Sequence, residues 1–264
     1  MAKQRRYFGA WVKSLEEASW VNMPLTHVTT TIVARDIIHD GEVTPSYCEV
    51  AKDDLVYTFY GRPGYRVGAE GTVPLEAFCP VCFIFNGALL DEAKSVIPFD
   101  TGAYKRRLYK FHEGDKINFD DFSIAEDCSL PNRLIRAIYK ERLAYVNGDR
   151  SKIPPVDQLC TPSQLEARVY LSLIRSDGRN EPDDRVASIE VAFGKQLRLR
   201  SNLKGMIIPH TLWSDDHQSD WVAPLLSAGI DVRTYEFVPG KPPDHYHALL
   251  EVAFKQLLAE WGEL

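Results

Sequence analysis

The chain has 264 residues, of which 45% are hydrophobic, and its formal net charge at pH 7 is −6. A chain of this length and apolar content can bury a large core, either as one large domain or as two small ones. The pI near 5.7 argues against a strongly cationic protein that coats nucleic acid regardless of sequence, although a local basic face is compatible with it.

The cysteines and the apolar segments indicate a reducing compartment. Five cysteines are an odd number, and they are too scattered for a disulfide framework. Cys79-Pro80-Val81-Cys82 has the spacing of a redox or zinc pair, but it runs into an apolar strand, which favours buried structural thiols. The basic residues at the N-terminus are not followed by an apolar run of signal-peptide length, and no later stretch approaches the length of a membrane span, so we expect a cytoplasmic protein without a membrane partner.

The first recognisable unit is a strand, a helix and a glycine. Residues 25–29 suit a short strand that carries His27. Residues 30–40 then place apolar side chains at helical spacing, and Gly41 ends the helix. A lone histidine in a strand is more often a core residue with satisfied hydrogen bonds than a catalytic one, so His27 alone decides nothing.

A central strand follows and ends at a turn that carries candidate binding residues. Residues 55–60 are aromatic and β-branched, and the glycines and proline within residues 61–64 prevent the strand from continuing. Guanidinium groups and aromatic rings suit phosphates and flat ligands, and both occur here, in Tyr60, Arg62, Tyr65 and Arg66. A hairpin turn with arginines on the protein surface explains the same residues.

A basic triplet, Lys105-Arg106-Arg107, comes directly after residues 98–104, which the clustered Pro, Asp and Gly predict to be a loop. Such a triplet is usually a solvated face. Beside a ligand cleft it could follow a phosphate backbone.

The second half of the chain contains a candidate catalytic carboxylate. Period-two alternation around Glu190 places Ser188, Glu190 and Ala192 on one face of a strand and the bulky apolar side chains on the other. A carboxylate on a face of small residues suits a cleft, whereas the exposed half of an antiparallel strand would also explain it. Other predicted elements are helices at 131–146, 163–174, 216–228 and 245–261 and strands at 77–85, 204–209 and 230–237.

Three segments together resemble bacterial ADP-ribosyltransferase toxins of the DarT type. His27-x-Thr29, a helix and Gly41 are similar to the opening motif of that family. Phe59-Tyr60-Gly61-Arg62-Pro63 resembles its aromatic strand and Arg-Ser-Pro turn, and Ser188-Ile189-Glu190-Val191 resembles its Ala-Glu-Val catalytic strand. The order of the three agrees over roughly residues 25–240. The chain departs from the family at Thr30, where the opening motif has a second histidine.

The resemblance implies an α+β fold of ADP-ribosyltransferase type, with a split β core, flanking helices and one domain over residues 1–264. Residues 130–177 would form a helical insertion. NAD would be the co-substrate and Glu190 the catalytic carboxylate. The cofactor-binding residues implied are His27 and Thr29 on the nicotinamide ribose, Tyr60 or Tyr65 stacked on the nicotinamide, and Arg62 on the pyrophosphate. The acceptor would contact Arg66, Lys105, Arg106 and Arg107.

The function expected from this resemblance is mono-ADP-ribosylation of a macromolecular acceptor, with a DNA or RNA base preferred. The protein would be a toxin or phage-defence effector, for which an antitoxin protein is a candidate partner. NAD hydrolysis and RNA 2′-phosphotransfer on the same fold are alternatives, because the acceptor differs while the NAD site does not. A module that binds nucleic acid or protein through a basic face, without catalysis, is a further alternative.

A metal-dependent hydrolase is a third alternative. Asp53-Asp54 and Asp183-Asp184 could supply carboxylates, but paired acids at strand starts are ordinarily solvated. His245 and His247 are two residues apart near the start of a helix and cannot share one helical face. We therefore expect no metal site.

Overall fold

The computed structural model describes residues 7–64, 71–107, 118–175, 184–213 and 220–264, which form a mixed α+β structure with a central mixed sheet and flanking helices. Its α-helices are α1 (Tyr7–Ser14), α2 (Thr31–Asp40), α3 (Thr101–Lys105), α4 (Leu130–Tyr139), α5 (Arg142–Val146), α6 (Val156–Leu159), α7 (Leu165–Arg175), α8 (Leu199–Asn202), α9 (Ala223–Ser227) and α10 (Pro243–Glu260). Its strands are β1 (Leu25–Thr30), β2 (Glu42–Val43), β3 (Ser46–Cys48), β4 (Asp53–Tyr60), β5 (Pro80–Phe85), β6 (Ser95–Ile97), β7 (Glu190–Phe193), β8 (Leu197–Arg198), β9 (Leu203–Pro209) and β10 (Asp231–Tyr235). Short 3₁₀ helices cover Glu76–Phe78, Gly87–Glu92, Phe119–Phe122, Arg150–Lys152, Asp184–Ala187 and His210–Leu212.

Internal contacts divide the chain into two compact units. The first comprises Met1–Asn22 and Leu90–Ala192, and the second comprises Met23–Leu89 and Phe193–Leu264. The region expected to be helical, 130–177, contains α4, α5, α6 and α7 up to Arg175. Its last two residues lie outside the described residues, and its status as an insertion in a single domain stays a prediction.

The second unit is built on a mixed sheet. Its strands follow the order β10, β9, β5, β1, β4, and β3 also pairs with β4. The β9–β10 pair is parallel, whereas β1 pairs antiparallel with both β4 and β5, and β5 pairs antiparallel with β9. The β1–β4 register places Leu25 opposite Tyr60. It therefore brings the start of the opening motif beside the end of the central strand.

Strand β5 has the most complete burial in this sheet. All six of its residues are buried, because β1 and β9 flank it and α2 and α10 contact it. An unbroken apolar run is typical of a strand that is covered on both faces. The strand expected at 77–85 is confirmed from Pro80 onward, while Glu76–Phe78 forms a 3₁₀ turn instead.

Helix α2 ends as the sequence predicts. Gly41 has a φ of 75°, and its N–H donates to the carbonyl of Ile37 at 2.9 Å. Glycine adopts this left-handed conformation at little cost, which makes it the usual residue just after a helix. The strand, helix and glycine unit at residues 25–41 is therefore confirmed.

The first unit is a cluster of helices around aromatic side chains, with one short strand pair. Helix α1 packs against α4, α7 and the 3₁₀ turn at Phe119–Phe122. The ring of Phe8 lies 5.2 to 5.4 Å from the rings of Trp11, Phe122 and Tyr170. Strands β6 and β7 pair antiparallel, with Ile97 opposite Glu190. The strand that begins with Glu190 therefore belongs to the same unit as this aromatic cluster.

Three local expectations were wrong. The helix expected at 216–228 is present only as α9 (Ala223–Ser227), with a turn at residues 220–222, while residues 216–219 lie outside the described residues. Residues 98–104 are not only a loop, because α3 begins at Thr101 after Asp100, whose side chain accepts a hydrogen bond from the Ala103 N–H at 2.7 Å. The helix expected at 131–146 is interrupted after Tyr139, since Lys140 adopts a φ of 69° and ends α4. Capping by Asp100 and the left-handed Lys140 are both local backbone features that apolar periodicity does not report.

Candidate active site around Glu190

Glu190 is a buried carboxylate that Thr101 holds at both oxygens. Its side chain is 6% exposed and lies at the start of β7, where all four residues are buried. The Thr101 hydroxyl donates to Oε1 at 2.8 Å, and the Thr101 backbone N–H donates to Oε2 at 3.2 Å. A side chain held at both oxygens has little rotational freedom, so the position of this carboxylate is set by the protein.

The burial of β7 corrects the expected environment of Glu190. The exposed half of an antiparallel strand is excluded, and the predicted face of small residues does not open to solvent, since Ser188 and Ala192 are each only 2% exposed. The strand also begins at Glu190, so Ser188 lies before it. Period-two alternation predicts which way side chains of a strand point, but it does not predict that both faces of the strand are buried.

Helix α3 connects Glu190 to the basic triplet. Thr101 is its first residue, and Lys105 is its last. Lys105, Arg106 and Arg107 are exposed, and the Lys105 Nζ lies 5.7 Å from the centroid of the Phe119 ring. The helix has only five residues, so the residue that binds Glu190 and the triplet are about one helical turn apart.

A tyrosine from the helical region supports the chain just before Glu190. The backbone N–H of Ile189 donates to the hydroxyl of Tyr145 at 3.1 Å, and Tyr145 is fully buried in α5. Sequence reasoning missed both Tyr145 and Thr101. Neither has a motif of its own, and the Asp100 cap was the single available signal for the helix that carries Thr101.

His27 and Thr29 lie on one face of β1, because alternate residues of a strand point the same way. Both are half-buried. The Nδ1 atom of His27 is 2.8 Å from the carbonyl oxygen of Tyr57, and burial lowers the pKa of the imidazole below its ordinary value. A carbonyl can only accept, so Nδ1 carries the hydrogen of the neutral ring.

The turn after β4 has a buried arginine. Arg62 is 3% exposed, which excludes the interpretation of this residue as a solvated surface arginine. Its backbone carbonyl accepts a hydrogen bond from the Thr26 hydroxyl at 2.5 Å, and the Nε2 of His247 lies 2.9 Å from the carbonyl of Pro63. The turn is therefore tied to β1 on one side and to α10 on the other.

Tyr60 lies in the core of the sheet. Its side chain has no exposed surface, and its hydroxyl accepts a hydrogen bond from the backbone N–H of Met23 at 2.9 Å. Its ring therefore presents no face to a ligand, which leaves Tyr65 as the candidate for the stacking role expected of Tyr60 or Tyr65. Tyr65 and Arg66 lie outside the described residues.

The cysteine pair has the properties of structural thiols. Cys79 and Cys82 are fully buried, and burial raises the pKa of Cys79 to about 11 and that of Cys82 further. A thiol that resists ionisation is a poor nucleophile and a poor metal ligand. In the part of the chain that the structure describes, no group of three or more His, Cys, Asp or Glu side chains could hold a metal ion.

The candidate residues fall into two groups. The first unit contains Glu190, Thr101 and the triplet, and the second contains the expected NAD-binding residues His27, Thr29, Tyr60 and Arg62. Among the described helices, none is long and apolar enough to cross a bilayer. No protein-family model, curated protein or solved structure matches the chain.

Proposed function

We propose that this protein is a mono-ADP-ribosyltransferase that cleaves NAD and transfers ADP-ribose to a macromolecule. The observation that supports this proposal most directly is the buried Glu190 carboxylate, held at both oxygens by Thr101. The resemblance of residues 25–240 to ADP-ribosyltransferases of the DarT type adds support from motif order. The ADP-ribosyltransferase fold is part of the same proposal.

The chemistry needs a carboxylate of this kind. Breaking the glycosidic bond between nicotinamide and ribose develops positive charge on the ribose, which a fixed carboxylate can stabilise while it also accepts a proton from the incoming nucleophile. Thr101 donates one hydrogen bond to each oxygen of Glu190, which fixes the direction of the carboxylate. In the proposed role this carboxylate would accept a hydrogen bond from a ribose hydroxyl or from the acceptor.

The residues proposed to bind NAD belong to the second unit. His27 and Thr29 share one strand face, which suits hydrogen bonds to the nicotinamide ribose, and Tyr65 would supply the aromatic face. Arg62 would neutralise the pyrophosphate, for which its buried guanidinium would have to turn toward the ligand. Arg66 stays a candidate for contact with the acceptor, as the resemblance implies.

The acceptor in this proposal is a nucleic-acid base. The exposed triplet at the end of α3 can follow a phosphate backbone, and α3 also carries the residue that holds Glu190. Such a protein would act in the cytoplasm as a toxin or phage-defence effector, and an antitoxin protein is the candidate partner.

The direct test follows the label from NAD radiolabelled in its ADP-ribose moiety. The protein is incubated separately with single-stranded DNA, RNA and bacterial lysate, and the wild type is compared with Glu190→Gln. Loss of a fixed electrostatic group commonly lowers a rate about a hundredfold or more, so Glu190→Gln should nearly abolish labelling of the acceptor. Glu49→Gln, at an exposed position in the second unit, is the matched control and should label at the wild-type rate.

The alternatives give different outcomes in the same assay. Release of nicotinamide without a labelled polymer would identify an NAD glycohydrolase. Salt-sensitive binding of nucleic acid with no consumption of NAD would identify a binding module. Equal labelling by the wild type and Glu190→Gln would contradict the role of Glu190.

A further inference from the structure

The second unit contains a cavity that the proposed function does not use. Its volume is about 690 Å³, and it lies between the C-terminal half of α2, the start of α8 and the segment from Asp220 to Ile230. Clefts that bind small molecules usually have volumes of about 300 to 1,000 Å³. The cavity therefore has the size of a small-molecule site.

Most of the wall is apolar and includes one large aromatic side chain. The principal apolar residues are Ile38, Leu199, Trp221, Pro224, Leu225 and Ile230. Ile38, Trp221, Leu225 and Ile230 are only half-buried, whereas all six residues of β5 in the same unit are buried. Apolar groups left open to water in one concave surface are typical of a binding site.

The charged residues at this cavity balance one another. Two arginines, Arg35 and Arg200, and two aspartates, Asp36 and Asp220, contribute to its lining. Arg35 is already paired with Asp36, with an N to O distance of 2.9 Å. A lining with no formal net charge gives an ionic ligand no advantage that would offset the loss of its hydration in an apolar cavity.

We propose that this cavity binds an uncharged, largely apolar small molecule whose body packs against Trp221 and Leu225. NAD is a poor fit, because its pyrophosphate carries negative charge and because His27, Thr29, Tyr60 and Arg62 are not among the residues that line the cavity. The cavity therefore shares none of these four residues with the proposed co-substrate site. The inference does not depend on the proposed activity.

The test uses a pair of fluorescent probes with the same aromatic body. N-phenyl-1-naphthylamine is uncharged, and 1-anilinonaphthalene-8-sulfonate adds one sulfonate. The neutral probe should bind the folded wild-type protein saturably at one site, about tenfold or more tightly than the anionic probe. A preference for the sulfonate, or no saturable binding of the neutral probe, would overturn the proposal.

Neighbouring leucines of α9 provide a matched pair of variants. Leu225 lines the cavity, whereas Leu226 does not, and both are half-buried. Leu225→Gln should weaken binding of the neutral probe about tenfold or more, since it removes a large apolar contact surface, and Leu226→Gln should leave binding unchanged. Equal effects from the two variants would contradict the assignment of the site.

A second variant covers the case in which Leu225→Gln does not fold. Ala228 is exposed and also lines the cavity, so Ala228→Trp should fill part of it and lower the affinity for the neutral probe while thermal stability is retained.

A competition experiment with NAD tests whether the co-substrate binds in this cavity. Displacement of the neutral probe by NAD would place the co-substrate in this cavity, which overturns the inference but not the proposed activity.

Discussion

Thr101 donates to both oxygens of the Glu190 carboxylate, through its hydroxyl at 2.8 Å and its backbone N–H at 3.2 Å. The two residues are 89 positions apart in sequence. Because Thr101 also begins α3, the orientation of the candidate catalytic carboxylate depends on a helix that ends in the exposed basic triplet. This contact supplies the most direct test of how Glu190 is positioned.

Variants of Thr101 should show how much its hydroxyl, as distinct from its backbone N–H, contributes to the rate of transfer. Thr101→Val keeps the shape and the N–H but loses the hydroxyl, so the rate of ADP-ribose transfer should fall about tenfold or more with little change in KM for NAD. Thr101→Ser restores the donor and should restore the rate. Unchanged transfer in Thr101→Val would show that the backbone N–H alone is sufficient.

The contact between Thr101 and Glu190 can also be tested by a stability measurement, without an activity assay. A double-mutant cycle of Thr101→Val with Glu190→Leu, which has no acceptor for the hydroxyl, measured as the free energy of unfolding, should give a coupling of about 1 to 3 kcal/mol. Additive effects would contradict the contact itself. The cycle therefore distinguishes a wrong structure from a wrong function.

The basic triplet should determine how salt affects nucleic-acid binding. Replacing Lys105, Arg106 and Arg107 together with Gln should reduce the slope of log K against log salt by about 2 for a single-stranded oligonucleotide, since each phosphate that a cation neutralises contributes about 0.7 to that slope. The control removes the same charge elsewhere, at the exposed positions Lys152, Arg198 and Lys241. If both triple variants change the slope equally, the triplet is not the binding face.

His27 should make the protein less stable in acid. Burial lowers the pKa of His27 in the folded state below the ordinary value of 6.5, so the unfolded chain takes up the proton first. The stability from the neutral ring is complete above pH 6.5 and is lost as the pH falls toward the folded pKa, at no more than about 1.4 kcal/mol per pH unit.

The variant that tests this loss is His27→Asn, whose amide can still donate to the carbonyl of Tyr57. Its free energy of unfolding should fall less than that of the wild type between pH 7 and pH 5. His39→Asn removes a histidine from an exposed position and is the control. Parallel curves for the wild type and His27→Asn would show that His27 does not titrate in this window.

Two glycines with similar backbone conformations should differ in how much stability is lost when each is replaced by alanine. Gly41 and Gly61 have φ values of 75° and 64°, but a Cβ would meet nothing within 4 Å at Gly41 and would lie 2.7 Å from the end of the buried Met23 side chain at Gly61. Gly41→Ala should cost about 1 to 2 kcal/mol of strain.

Gly61→Ala should cost about 1 to 3 kcal/mol more than Gly41→Ala, because the packed methionine must also move. Urea denaturation of the two variants measures the difference directly. Equal losses of stability would show that Met23 repacks freely, and that the turn bearing Arg62 is not constrained from this side.

The elements that sequence reasoning predicted well are those whose signals are local and repeated. The apolar spacing in α2, the glycine after it and the aromatic run of β4 each report one element without reference to the rest of the chain. By contrast, α3 has only five residues and one cap, so it is too short to show the apolar periodicity of a helix. The candidate residue Thr101 was missed for that reason.

The environment of Glu190 could not be predicted because it depends on distant residues. Alternation identified which way the side chain points, but Thr101 and Tyr145, which hold the carboxylate and the preceding backbone, come from separate parts of the chain. Burial of Arg62 is a similar case, since the turn composition fits a buried or an exposed guanidinium equally. Such contacts are properties of the tertiary structure.

The hydrogen bond from His27 to Tyr57 has a chemical consequence for any ligand at β1. Because Nδ1 keeps the hydrogen, Nε2 of the neutral ring is left as an acceptor only. A sugar hydroxyl can donate to such a nitrogen, whereas a phosphate oxygen without a proton cannot. At neutral pH, His27 would therefore discriminate between the two ends of a nucleotide, selecting ribose by its donor and rejecting phosphate.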